Sequence, residues 1–210
     1  MAGPLQNSWM YAPSGGYTPT TKGIFAYGND GSVSNLSNLV SSSGTVAADV
    51  SGVGTSLGTR TSATFGIDKA FFWGGEFANH TNLVSNEGVI ASDVTGVGLI
   101  RGYLAACTFG GDKAIFGYGS HYTQGASPYS TTNLVNNEGV IASNVSGVGT
   151  ARGALGACGF GSDKGIFAFG LAGSHTAISN KVNNNGVVAS DTSGVGTARQ
   201  DISAAGFSIA

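Results

Sequence analysis

A single phrase recurs four times along this chain and limits what it can fold into. Its copies centre on Lys22-Gly-Ile-Phe-Ala-Tyr-Gly28, Lys69-Ala-Phe-Phe-Trp-Gly-Gly75, Lys113-Ala-Ile-Phe-Gly-Tyr-Gly119 and Lys164-Gly-Ile-Phe-Ala-Phe-Gly170, and their lysines stand 47, 44 and 51 residues apart. Each core is followed by an Asn-Leu-Val-like step, a glycine turn, and a Val-rich step that ends near Asp49, Asp93, Asn144 or Asp191. Gly-Val-Gly and an arginine, Arg60, Arg101, Arg152 or Arg199, then close each copy. Repeats of this length made of short strands specify a propeller or a stacked array.

The third copy reads as four strands. Strand a covers Tyr103 to Phe109, Gly110-Gly-Asp112 turns the chain into strand b at Ala114 to Tyr118, strand c is Asn133 to Val135, and a glycine hairpin leads to strand d at Val140 to Val145. Strand b does not alternate apolar with polar. Ile24 and Ala26 point one way and Phe25 and Tyr27 the other, so both faces are expected to be buried. Strand a is rich in Ala, Gly, Ser and Cys, as in Ala154 to Gly159 and Ile202 to Gly206, which suits an innermost strand where neighbouring units converge.

Residues after Arg199 supply a strand a with no following b, c and d, whereas the first copy starts at its b strand. Joining the two removes both exposed sheet edges. The expected fold is therefore all-β: a small four-bladed β-propeller over residues 21–210, closed by pairing of the C-terminal strand with the first repeat near Ile24 to Tyr27. Residues 1–20 form an N-terminal arm outside it. The alternative is an open array whose two half-blades pair with another copy of the chain, a homo-oligomer with shared blades.

Composition narrows the function. Only 10% of residues are charged, the net charge is −2, and the nine Lys and Arg are spread one or two per repeat, which excludes the basic footprint of a nucleic-acid partner. No apolar run approaches the length of a membrane helix and no leader pattern opens the chain, so membrane insertion is not expected and folding in a cytosol is. Cys107 and Cys158 occupy one slot of successive repeats and read as small buried thiols without a disulfide.

Two likenesses rest on these residues. An arginine before the inner strand, with Ile-Phe-x-Tyr-Gly or Phe-Trp-Gly-Gly on the second, is similar to the Kelch repeat, although only Gly74-Gly75 keeps the double glycine and no outer-strand tryptophan is present. Asp163 to Gly170, Asn82 to Val89 and Gly194 to Arg199 resemble repeat phrases in structural proteins of tailed bacteriophages, over about residues 20 to 210. That resemblance implies a virion component of the tail, fibre or adhesion apparatus, assembled in the host cytoplasm. Its partners would be other virion proteins and host-surface glycans.

Chemistry is sparse. One Asp or Asn per repeat at the end of strand d, Asp49, Asp93, Asn144 and Asp191, is a structural signature, since a catalytic pair would occupy one site and not four. No phosphate loop or nucleophile elbow is present, so neither an enzyme nor a cofactor is expected. His80, His121 and His175 fall in the b–c loops, which vary between copies and are the expected binding rim, with Tyr122 and Tyr129 as rings able to stack on a sugar. A metal site is not expected there, because the loops differ in length and the first lacks a histidine. Trp73 reads as core. Trp9, Met10, Tyr11 and Tyr17 make the arm too aromatic for a linker and mark it as a docking segment. The expected protein is a non-enzymatic virion structural protein; the alternatives are a lectin-type propeller or a capsid or tail decoration protein.

Overall fold

In the computed structural model, residues 22–75, 77–121 and 127–207 are described, and no helix occurs among them. The arm residues Trp9, Met10, Tyr11 and Tyr17, and Tyr122 of the third loop, lie outside the described residues.

Among the described residues eleven strands form four antiparallel sheets, one per sequence copy. The first holds β1 (Gly23–Asn29) and β2 (Val33–Val40). The second holds β3 (Thr61–Phe65), β4 (Lys69–Trp73) and β5 (Thr81–Val84). The third holds β6 (Ala105–Phe109), β7 (Lys113–Gly117) and β8 (Thr132–Val135), and the fourth β9 (Gly156–Phe160), β10 (Lys164–Ala172) and β11 (Ser174–Val182). Strands a, b and c of the sequence reading are therefore present in order, while strand d is reduced to paired bridges such as Val84↔Ile90 and Thr81↔Val94.

Successive sheets pack face to face through their first strands, β3 on β6 and β6 on β9. Small residues permit that approach: a Cβ on Gly165 would meet Cys107 Sγ, and one on Gly159 would meet Thr108 Oγ1. The core is consequently three slabs, one per joint. Phe72, Val84 and Ile90 pack against Ile24, Ala26 and Tyr27 between the first two sheets. Phe71, Trp73, Leu104 and Phe116 fill the second joint, with Trp73 stacked on Phe116 at 4.4 Å between ring centroids. Cys107, Ile115, Tyr118, Leu155 and Phe167 fill the third. Both cysteines are free, Cys107 buried and Cys158 half-buried, and burial pushes the Cys107 thiol up to about 12.

The Gly-Val-Gly motif has a steric cause. Its first glycine passes against the start of strand c in its own repeat: a Cβ on Gly96 would run into the Asn79 carbonyl, and one on Gly147 into Ser130. Its second glycine takes a positive φ, 110° at Gly98 and 76° at Gly149, where a side chain is strained.

Three expectations are corrected. Residues 202–207 do not pair with the Ile24–Tyr27 strand: they form no strand and lie beside β9, with Ile202 against Gly156 and Gly206 against the Gly159 carbonyl. β1 pairs only with β2 among the described residues. Small side chains at 203–206 bring this segment onto β9 in the way β9 meets β6, one step further along the stack. Burial on both faces of strand b holds in the middle of the stack, where Ile115 and Phe116 are fully buried, and fails at its start, where Phe25 is 65% exposed with no preceding sheet among the described residues. The b–c loops of the first and fourth copies are also shorter than expected, because the ladder extends into them and leaves only tight turns at Gly31 and Gly173.

Candidate functional site

The four arginines are spaced by the repeat and tie each joint together. Arg60 stacks 4.0 Å over the Tyr27 ring, Arg101 lies 5.1 Å from Trp73, Arg152 4.3 Å from Tyr118 and Arg199 4.1 Å from Phe169. Each guanidinium thus covers an aromatic ring of the sheet before it. The first three also reach forward. Arg60 donates to the carbonyls of Phe72 and His80, Arg101 to Asn133 Oδ1 at 2.7 Å, and Arg152 through Nε to the Phe169 carbonyl at 2.8 Å. Burial holds the Arg101 guanidinium down to about 10, and burial likewise lowers that of Arg152. No ion pair joins these arginines to Asp93-type residues among the described residues: ring faces, backbone carbonyls and, for Arg101, the Asn133 side chain hold them.

The strand-d residue Asp49, Asp93 or Asp191, replaced by Asn144 in the third copy, is structural. Asn82 Nδ2 donates to Asp93 Oδ1 at 2.9 Å, and the amide and hydroxyl of Thr55, from the preceding linker, donate to Asp93 Oδ2. Asp191 takes the same bonds from Asn180 and Thr150. Burial alone would raise the Asp191 carboxyl, but the Thr150 and Asn180 bonds outweigh it and hold the group below the usual value. Asp49 accepts from Asn38 Nδ2 in the same way. No preceding linker reaches it among the hydrogen bonds of the described residues.

The rim residues are dispersed. His80 Nδ1 lies 3.3 Å from Asp93 Oδ2, which draws it toward the strand-d network. His121 follows the bridged Ser120 at the start of the third loop. His175 is not in a loop at all but in β11, opposite Leu171. Tyr129 is half-buried, its amide donating to the Gly119 carbonyl at 2.8 Å, and it lies close enough to Arg101 for its charge to act there. Among the described residues no group of three or more His, Cys, Asp and Glu side chains is placed to hold a metal ion.

The missing a strand of the first copy leaves a groove beside β1. It has a volume of about 300 Å³ and is lined by Ile24 to Gly28 on one side and by Thr59, Arg60, Ser62 and Phe72 on the other. In each later sheet this position belongs to strand a: β3 pairs with β4, β6 with β7 and β9 with β10. Among the described residues Thr59 Oγ1 and Arg60 Nε and Nη1 are buried here without a hydrogen-bond partner, as Arg101 Nε is in the next joint. The sequence signals it, since the first copy starts at its b strand and has no a strand of its own.

No protein-family model matches the chain, and no curated protein is significantly similar to it.

Proposed function

We propose that this chain is a non-enzymatic structural protein, a Kelch-like array of sheets that serve as propeller-type blades, working as a building block of a larger particle such as the tail or fibre of a tailed phage. The observation that carries this reading is that, among the described residues, neither end of the stack is capped. Phe25 is 65% exposed at one end and Phe207 89% at the other, whereas a solitary repeat protein needs polar terminal repeats to stay in solution. The polar side chains that recur once per repeat are engaged in holding the joints, which supports a scaffold over a catalyst. Immunogold electron microscopy of source particles with an antibody against this chain tests the reading. Regular label on tail or fibre supports it, label over the head favours a decoration protein, and unlabelled particles would overturn it.

A second reading, glycan binding at the rim, is favoured by one observation: Phe77 is 68% exposed in the same loop as Asn79 and His80. An exposed ring beside polar groups fits a sugar face. Loss of binding on a glycan array by Phe77→Ala would support it, and absence of binding by the unaltered chain would exclude it.

A further inference from the structure

We propose that residues 203–207 of one copy enter the groove beside β1 of a second copy and become the missing edge strand of its first sheet, so that copies join head to tail. This deepens the building-block reading above and rests on it.

Sequence and register agree on the occupant. The a strands read Thr-Ser-Ala-Thr-Phe at 61–65, Ala-Ala-Cys-Thr-Phe at 105–109 and Gly-Ala-Cys-Gly-Phe at 156–160, and Ser203-Ala-Ala-Gly-Phe207 continues the series. In each sheet the phenylalanine sits opposite the repeat lysine: Phe65↔Lys69, Phe109↔Lys113 and Phe160↔Lys164. The same register sets Phe207 against Lys22, Ala205 against Ile24 and Ser203 against Ala26 of the second copy.

The C-terminal segment already holds the geometry of an incoming a strand. Tyr103, Ala154 and Asp201 each lie two residues beyond the repeat arginine, with φ of 54°, 53° and 54°. The Gly119 amide donates to the Arg152 carbonyl at 2.9 Å, and the Gly170 amide donates to the Arg199 carbonyl at 2.9 Å. Arg199 is exposed and donates only to the Thr197 carbonyl among the described residues, whereas Arg152 is buried and reaches the carbonyls of Phe169 and Phe167 on the sheet that follows. The positions equivalent to those acceptors in the first sheet are Tyr27 and Phe25.

Two further joint contacts are complementary across the same ends. Phe72 packs on Tyr27 at 5.3 Å and Phe167 on Tyr118 at 5.1 Å, each ring meeting the aromatic of the sheet before it. Among the described residues, Phe25 is the equivalent ring with no sheet before it and Phe169 the aromatic with no sheet after it. Thr55 caps Asp93 and Thr150 caps Asp191 of the next repeat, leaving Thr197 to cap Asp49 of the second copy. The interface is heterologous, so it generates a ring of copies or an open filament according to the rotation per joint.

The test uses two full-length chains in a background with Cys107 and Cys158 replaced by alanine, one carrying Ala205→Cys and the other Ile24→Cys. Ala205 holds the slot occupied by Cys107 and Cys158 in the internal strands, so cysteine fits there. Directly opposed residues of an antiparallel pair lie within disulfide reach. The expected result is a cross-linked dimer when the two chains are mixed and oxidised, at least ten-fold above either chain alone, with the far-ultraviolet circular dichroism of each variant unchanged. A cross-link formed only within one chain carrying both substitutions would overturn the proposal in favour of a ring closed by its own strand. Absence of cross-link in folded protein would overturn it as well. Since this assay uses pure protein, either failure leaves the particle-labelling result standing as a separate fact.

Discussion

Arg152 and Arg199 are the same residue at the same repeat position in two environments, and alanine at each tests the joint account directly. Arg152 is fully buried, stacks 4.3 Å over Tyr118, and donates to the carbonyls of Phe169 at 2.8 Å, Thr150 at 3.1 Å and Phe167 at 3.5 Å. Counting the two shorter bonds at about 1.5 kcal/mol each and the buried ring contact at about 1–2 kcal/mol gives a gross loss of about 4–5 kcal/mol. Relief from burying a cation returns part of this, leaving a net destabilisation of about 3 kcal/mol. For a chain of this size that is a fall in Tm of about 6–12 °C. Arg199→Ala removes one exposed bond and one exposed ring contact, about 0.5–1 kcal/mol in dilute solution. Thermal unfolding followed by circular dichroism separates the two, and Arg152→Lys should recover little because an ammonium cannot serve several fixed carbonyls at once. Equal losses at both positions, or a loss below about 1 kcal/mol for Arg152→Ala, would refute the ladder.

Further predictions follow from the same geometry. Gly96→Ala places a methyl on the Asn79 carbonyl and should destabilise by about 3 kcal/mol, read by chemical denaturation, whereas a marginal change would show that the linker shifts freely. The Asp191 carboxyl is held below its ordinary value, so its contribution to stability is present in full above the unfolded value of about 4 and is lost as pH falls through the lower folded value. Asp191→Asn should keep an acceptor for Asn180, as Asn144 does for Asn133 at 3.0 Å, and should therefore narrow the gap in Tm between pH 6 and pH 3.

How much of this was legible in sequence depends on how each signal is encoded. Strands a, b and c of the third copy are visible within a residue or two, because lysine, glycine and the apolar run between them punctuate every repeat. Trp73 was legible as core for the same reason. Stacking order was not, since what decides it is where the glycine and alanine of strand a let backbones approach, and pattern alone does not say whether residues 203–207 turn back to β1 or continue past β9. His175 was misplaced in a loop because Ser-His-Thr-Ala-Ile reads as polar linker, yet a positive φ at Gly173 lets the ladder run through it. The arginine–aromatic ladder was hidden by a one-residue offset: the ring sits five residues after the lysine in Tyr27, Tyr118 and Phe169 but four after it in Trp73. At the fifth position the backbone is left-handed in all four copies, with Gly74 taking that place in the second.

Amide hydrogen exchange at residues 23–27 and 203–207, followed over a series of protein concentrations, tests the central claim most directly. These segments form the open edge of β1 and the unfilled a strand, so the account predicts fast exchange in both when the chain is dilute. Protection should rise together in the two segments as concentration increases, while β7 and β10 stay protected throughout. Protection of both segments that is already complete at the lowest concentration, or that never appears, would contradict it.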